Sequence, residues 1–267
     1  MAAPVVLVER PQPGVTLIRL NRPDQRNAVG WQTWEELGPA LAALAADDTC
    51  RAVVLTGSGG SFCAGGDIKS SPSRGRGLGA PAARLLVGQR VLGDLLRLPQ
   101  PVVAAVEGPA MGIGWSLALA CDVVVAARDA VFGAPFVLRG LVPDGGAAWF
   151  LTRALGRQRA SALLLRGGRM AASEAQEAGL VGLLTETGAA LDEALALAAE
   201  MARGPAEALR LTKGMIRGAN DLPLERFLEL EWLSATLDIT GPDAAEGRAS
   251  FVEKRDPDFS ALRDGAP

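Results

Sequence analysis

Two short apolar runs, each passing directly into a glycine-rich loop, are what most restrict the folds open to this chain. Residues 52–56 are Ala-Val-Val-Leu-Thr and lead into Gly57-Ser-Gly-Gly-Ser-Phe-Cys-Ala-Gly-Gly-Asp. Residues 102–106 are Val-Val-Ala-Ala-Val and lead into Glu107-Gly-Pro-Ala-Met-Gly. Continuous apolar runs of this length, bounded by turn formers, read as strands covered on both faces. The rest of the first half fits that frame. Residues 5–9 and 15–20 read as a strand pair around Pro11-Gln-Pro-Gly. Over 31–46, Trp34, Leu37, Leu41 and Leu44 recur at helical spacing until Asp47-Asp48. A helix is expected over 82–97, a buried helix over 112–121 and a strand over 122–127. The segment 70–80, rich in Gly, Ser, Pro and Arg, reads as a mobile loop.

Beyond Arg157 helical signals dominate, over 160–165, 173–179, 191–203, 205–218 and 222–239. Ser173-Glu-Ala-Gln has the spacing of a capping box, and Pro205 suits a first helical turn. The class is therefore α/β, with a core over 1–200 and a helical C-terminal region over 201–267. No linker rich in Ser, Gly and Pro separates the two.

Composition narrows the chemistry. The chain has 267 residues, 49% apolar and 21% charged, with a net charge of -3, enough for one large or two small domains with a sizeable core. It contains no His and no Tyr, which excludes Ser-His-Asp and Cys-His units, histidine metal sites and tyrosine acids. Proton transfer falls to carboxylates, Lys or the backbone. Cys50, Cys63 and Cys121 are too few for a four-thiolate site, and their odd number fits a reducing compartment, so a cytoplasmic protein is expected. Basic residues form no stripe, which argues against nucleic acid. The first residues lack the pattern of a signal peptide, and the longest uncharged run, 108–121, is too short to span a bilayer, so no membrane association is expected.

The glycine loops are the places where a ligand can meet the backbone. In Ser61-Phe-Cys-Ala-Gly-Gly-Asp-Ile-Lys, the small residues allow close approach, the Gly66 N–H could donate to an oxyanion, and Asp67 could brace the loop by accepting backbone N–H groups. The same residues would serve as a plain turn. In the second loop a helix beginning near Gly112 leaves the Ile113 N–H as a second donor, and Gly108, Gly112 and Gly114 would equally suit close helix–sheet packing. Neither loop has the spacing of a dinucleotide fingerprint or a nucleoside triphosphate loop.

Four motifs in order, Asn21-Arg-Pro-Asp-Gln-Arg-Asn-Ala, Phe62-Cys-Ala-Gly-Gly-Asp-Ile-Lys, Pro101-Val-Val-Ala-Ala-Val-Glu-Gly and Cys121-Asp, resemble the enoyl-CoA hydratase/isomerase (crotonase) superfamily. The resemblance extends over about 5–260, to Phe251-Val-Glu-Lys-Arg-Asp-Pro-Asp-Phe. It implies a superhelix of strand-strand-helix repeats, a trimerising helical C-terminal region whose trimers can pair into hexamers, and an acyl-CoA thioester substrate. It also implies an oxyanion hole formed by the Gly66 and Ile113 N–H groups. Ala64, Asp67 and Ile68 belong to the same substrate-binding loop. No metal or redox cofactor is implied, coenzyme A being part of the substrate.

The departures bear on the reaction. Hydratases of the family carry glutamates at positions occupied here by Ser116 and Phe136, neither of which can act as an acid or base near neutral pH. A different acid stands in Gly140-Leu-Val-Pro-Asp-Gly-Gly, where Asp144 is either an N-cap for the helix that follows or a catalytic base. The segment 140–157 is similar to the isomerase branches of the family, the epoxyphenylacetyl-CoA isomerases among them, and there the resemblance implies one carboxylate shuttling a proton between carbons. The expectation is an acyl-CoA isomerase with Asp144 as base and Phe136 on an apolar wall. A hydratase using water held by Asp144, or a non-catalytic acyl-CoA binder, are the alternatives. Arg26 and Lys69 are candidates for the coenzyme A phosphates, with Lys254 from this or a neighbouring subunit, though each would equally serve as a surface charge. Trp115 and Trp149 are expected in the core or the acyl pocket.

Overall fold

The computed structural model describes residues 3–77 and 79–259. Residues 1–2 and 260–267, which begin the expected core and end the expected helical region, lie outside the described residues, as does Leu78 in the 70–80 loop.

The chain opens with β1 (Val6–Gln12) and β2 (Val15–Leu20), paired antiparallel. β1 runs through Pro11, which the sequence pattern places in the turn. The strand lies at a sheet edge and its register shifts between Glu9 and Gln12, so the missing N–H costs no ladder bond. Next come α1 (Trp31–Ala45), β3 (Ala52–Gly57), α2 (Ala83–Arg97) and β4 (Val102–Val106). α1 buries Trp34, Leu37, Leu41 and Leu44, the four residues whose spacing announces it. β5 (Pro109–Met111), α3 (Ile113–Leu119), β6 (Val123–Ala127) and β7 (Val131–Gly133) follow. Then come α4 (Ala147–Arg166), β8 (Arg169–Ala171), α5 (Ala172–Glu177), β9 (Leu183–Thr185) and α6 (Ala190–Arg203), and finally α7 (Ala206–Gly218), α8 (Leu224–Ile239) and α9 (Pro242–Glu253).

Among the described residues the strands form two sheets. One has the order β1-β2-β3-β4-β6-β9 and is parallel from β2 onward, and the other has the order β5-β7-β8. β3 and β4 are completely buried apart from Gly57, as their unbroken apolar runs require. The whole second sheet and β9 are invisible in the sequence pattern. Each of these strands has three residues, too few to display a period of two.

Two helix boundaries and one loop differ from expectation. α4 begins at Ala147, well before 160, and its helical pattern is broken by Gly156 at φ +71°. α5 starts before Ser173, so its cap is not the Ser173–Gln176 box. Glu174 instead accepts the Ala171 N–H at 2.9 Å. The segment 70–80 is held by α1: Trp31 Nε1 donates to the Ser71 carbonyl at 2.9 Å, and the Arg74 guanidinium lies 4.0 Å from the centre of the Trp31 ring.

α6 packs on β3 and β4 through Ala190, Ala194 and Ala198, all fully buried, and the residue 200 boundary falls in its last turns. Alanines at a spacing of four let the helix axis approach the sheet closely. Glu107, at the end of β4, accepts the Gly188 and Ala190 N–H groups at 3.1 and 2.8 Å and so fixes the start of α6. α7 is anchored by buried Lys213, whose Nζ meets Asp122 at 2.7 Å and the Gln100 carbonyl at 2.9 Å. α8 and α9 pack beyond it.

Candidate active site

The two glycine loops are joined by backbone hydrogen bonds. Cys63 N–H donates to the Pro109 carbonyl at 3.0 Å and Met111 N–H to the Cys63 carbonyl at 2.8 Å, a parallel bridge between Cys63 and Ala110. Glycine at 114 makes the approach possible, since a Cβ there would lie 2.6 Å from both the Cys63 carbonyl oxygen and its Cβ. Each expected donor stands three residues beyond its bridge partner, Gly66 after Cys63 and Ile113 after Ala110. On the other side of the first loop, Val29 N–H donates to the Gly65 carbonyl and Asp67 N–H to the Val29 carbonyl, both at 2.8 Å. Among the described residues, the Gly66 N–H between them donates to no carbonyl, and neither does that of Ile113, the first residue of α3.

The Asn21–Ala28 motif carries this loop. Asn27, at φ +58°, accepts the Arg22 N–H at 2.9 Å and donates from Nδ2 to the Ser58 and Ser61 carbonyls at 2.9 and 2.6 Å. Ala64 N–H donates to the Arg26 carbonyl at 2.8 Å. Asp67 braces the loop in the way expected of it, accepting the Lys69 N–H at 3.0 Å and facing Arg22 Nη2 at 3.0 Å. Partial burial works against its charge, but Arg22 and the Lys69 N–H hold its carboxyl below the usual range.

The donors open onto a cleft of about 830 Å³. Every catalytic or substrate-binding residue expected from sequence lines it: Arg26 from the Asn21–Ala28 motif, Ala64, Gly66, Asp67, Ile68 and Lys69 from the first loop, Ile113 from the second, and Phe136 and Asp144. Phe136 is 7% exposed and packs near Gly112, which places it on the apolar wall. Lys254 ends α9 in a left-handed conformation, is exposed and does not line the cleft of its own chain. Trp115 is a core residue, buried against Phe132 at 5.6 Å between ring centres. Trp149 lies in neither core nor cleft. It is 49% exposed, with the Arg153 guanidinium 4.0 Å from its ring centre. Sequence reasoning misses three basic residues of the cleft, Arg84, Arg139 and Arg169. None belongs to a motif, and only the folding of α2 and the second sheet brings them there.

Asp144 is not an N-cap. α4 begins three residues later with Gly146 at the cap position, and the Ala147 N–H bonds the Asp144 carbonyl at 3.1 Å. Asp144 Oδ1 is buried with no hydrogen-bond partner among the described residues. Burial pushes the carboxyl up to about 6, against the charge of Arg84 and its own backbone N–H, which pull the other way. Ser116, fully buried, donates its hydroxyl to the Asp144 carbonyl at 3.0 Å and thus holds the acid's backbone instead of supplying a second acid. The site offers two backbone donors that line one cleft, one carboxyl pushed up to about 6, and an apolar wall. That set can accept a carbon-bound proton while negative charge collects on a nearby oxygen.

The family model for enoyl-CoA hydratase/isomerase matches residues 10–262. The chain is 36% identical over 251 residues to the 1,2-epoxyphenylacetyl-CoA isomerase of Escherichia coli (strain K12), covering 92% of this chain and 95% of that protein. It is also 36% identical over 253 residues to the 2,3-dehydroadipyl-CoA hydratase of the same organism, covering 95% and 98%. Among solved structures, an enoyl-CoA hydratase from Polaromonas sp. JS666 matches with a TM-score of 0.89 at 36% identity, over 94% of this chain and 98% of that one.

Proposed function

The chain belongs to the enoyl-CoA hydratase/isomerase family, and from that premise we propose that it is an acyl-CoA isomerase working with one carboxylate and a backbone oxyanion hole. The observation that carries this reading is the buried Asp144 carboxyl on the cleft, its Oδ1 without a hydrogen-bond partner among the described residues, while Ser116 and Phe136 stand at the two positions expected of hydratase glutamates. Asp144 takes a proton from carbon made acidic by the thioester. The electron pair moves onto the thioester oxygen, where the Gly66 and Ile113 N–H groups stabilise it. The same carboxyl returns the proton to a different carbon as the pair flows back, so a double bond moves or an activated ring rearranges without any atom gained. Phe136 and the neighbouring apolar residues exclude water from the intermediate. Arg26 and Lys69 hold the coenzyme A phosphates, and coenzyme A enters as part of the substrate, with no metal or redox cofactor needed.

Hydration is the competing reading, favoured by the equal identity to a hydratase. A panel of 3-enoyl, 2-enoyl and epoxyphenylacetyl-CoA thioesters, followed by mass spectrometry, separates the two. With chromatographic separation before the mass measurement, an isomerase returns a product of unchanged mass at a new retention time, a hydratase adds one water, and a binder leaves every thioester as supplied. We further propose self-association into trimers, which could pair into hexamers, in the reducing setting of the cytoplasm. Along α8, Leu224, Leu228, Trp232, Leu233 and Leu237 are between 48% and 68% exposed, a stripe too apolar for an uncovered surface. Sedimentation at micromolar concentration should show no monomer.

A further inference from the structure

One charged residue of the cleft has no part in the mechanism above. Arg84 lies in the first turn of α2, outside every motif. Its guanidinium is pinned to the wall: Nη1 donates to the Asp67 carbonyl at 3.0 Å, to the Ser70 carbonyl at 3.2 Å and to the Ser70 hydroxyl at 2.6 Å. It is thus tied to the segment that continues from Gly66, on the same cleft as Asp144. The two do not form a contact ion pair. A fixed charge at a distance favours the carboxylate without occupying the lone pairs that must receive a proton.

Other ionisable groups stand on the elements around the cleft. α3 supplies none. On α4, Arg153 is paired with Asp221 and stacked on Trp149. On the first loop, Asp67 is matched by Arg22, while Asp24, Arg26 and Lys69 line the same side. Asp129, Arg139 and Arg169 line the side built by the second sheet. Oδ1 has no hydrogen bond among the described residues, so burial of this carboxyl is opposed by the charge of Arg84 and by its own backbone N–H.

We propose that Arg84 is the positioning residue that sets the proton affinity of Asp144, keeping the carboxyl ionised and ready at neutral pH. This rests on Asp144 being the base, and the test reads the two ideas separately. The Asp144 carboxyl carbon is followed by NMR across a pH series in the full chain labelled at aspartate, its signal assigned by its absence in Asp144→Asn. In parallel the acidic limb of kcat/KM is measured with whichever thioester is turned over. Arg84→Met, and Arg84→Gln, which keeps a donor for the loop carbonyls, should move both midpoints upward by about half a pH unit or more. Arg84→Lys, which keeps the charge, should titrate close to the parent. If both neutral variants titrate with the parent, whatever their melting temperatures or rates, Arg84 is only a loop brace and the proposal fails. Should Arg84→Met not fold, the titration of Arg84→Gln decides the question by itself. Full activity in Asp144→Asn would instead remove the base assignment, while the carboxyl titration would still report whether Arg84 controls it.

Discussion

The two walls of the cleft are built on opposite principles. One is backbone: the loops 63–66 and 110–113 are clasped by the Cys63–Ala110 bridge, and among the described residues the Gly66 and Ile113 N–H groups are left without a carbonyl partner whatever side chains they carry. The other is side chain: Asp144 and Phe136 line the cleft, with buried Ser116 holding the Asp144 backbone, and each could be exchanged without touching the clasp. On the proposed reading the backbone wall stabilises an enolate for any reaction that passes through one, and the side-chain wall decides where the proton goes. Relatives of equal identity that differ in reaction fit such a division.

The division can be broken at each wall, and the largest effect belongs to the backbone. Ile113→Pro removes one donor at a position where proline suits the start of a helix, so the fold should survive while turnover falls by ~1000-fold. Ile113→Ala should cost only a few-fold, because the donor remains. Equal steady-state rates in the two variants would show that the amide has no part in turnover.

Next comes Asp144→Asn, expected to lower the isomerisation rate by ~100-fold while acyl-CoA binding stays near the parent value. In the parent the acidic limb of the rate profile should lie near pH 6, where the buried carboxyl loses its proton. Stability gives an independent check with a definite sign. The carboxyl is held at about 6 in the native state against an ordinary value of 3.8 for aspartate, so between those values the native protein binds the extra proton. Its contribution therefore becomes more unfavourable as pH rises through that window, and the full cost persists above it. Asp144→Asn should consequently gain melting temperature over the parent between pH 4 and pH 7, and a parallel pair of curves would contradict the burial.

The smallest effect is expected where the walls touch. A Cβ at Gly145 would lie 2.2 Å from Ile113 Cδ1 and 2.7 Å from Ser116 Cβ, and the residue sits at φ +59°. Gly145→Ala should destabilise by about 1–3 kcal/mol and lower turnover by ~10-fold, with thermal melting and kinetics measured on one preparation. A loss of stability with unchanged kinetics would mean that the two walls are mechanically independent.

Much of this can be read in the sequence because the governing signals are local. The buried strands β3 and β4 have uninterrupted apolar runs, α1 has its four core residues at helical spacing, and the two donors follow from glycine loops placed after strands. What stays hidden depends on distant pairing. β5, β7 and β8 are three residues each and exist because they meet one another. Arg84 reaches the cleft only because α2 folds over the first loop. Trp149, apolar enough to suggest a core position, is instead left at the surface under Arg153. α9 announces itself poorly because only Asp243 and Ser250 are buried along it, which gives no apolar stripe to find.

The clasp between Cys63 and Ala110 has a consequence for how sequences of this kind can drift. Its hydrogen bonds join atoms that every residue except proline can supply, so substitutions around it are filtered by shape alone, by whether a side chain fits and whether the backbone angle is allowed. Evolution can rewrite the lettering of the two loops widely and leave the oxyanion cradle intact. If Asp144 is the proposed base, no such latitude exists at 144, where a single letter would hold the reaction.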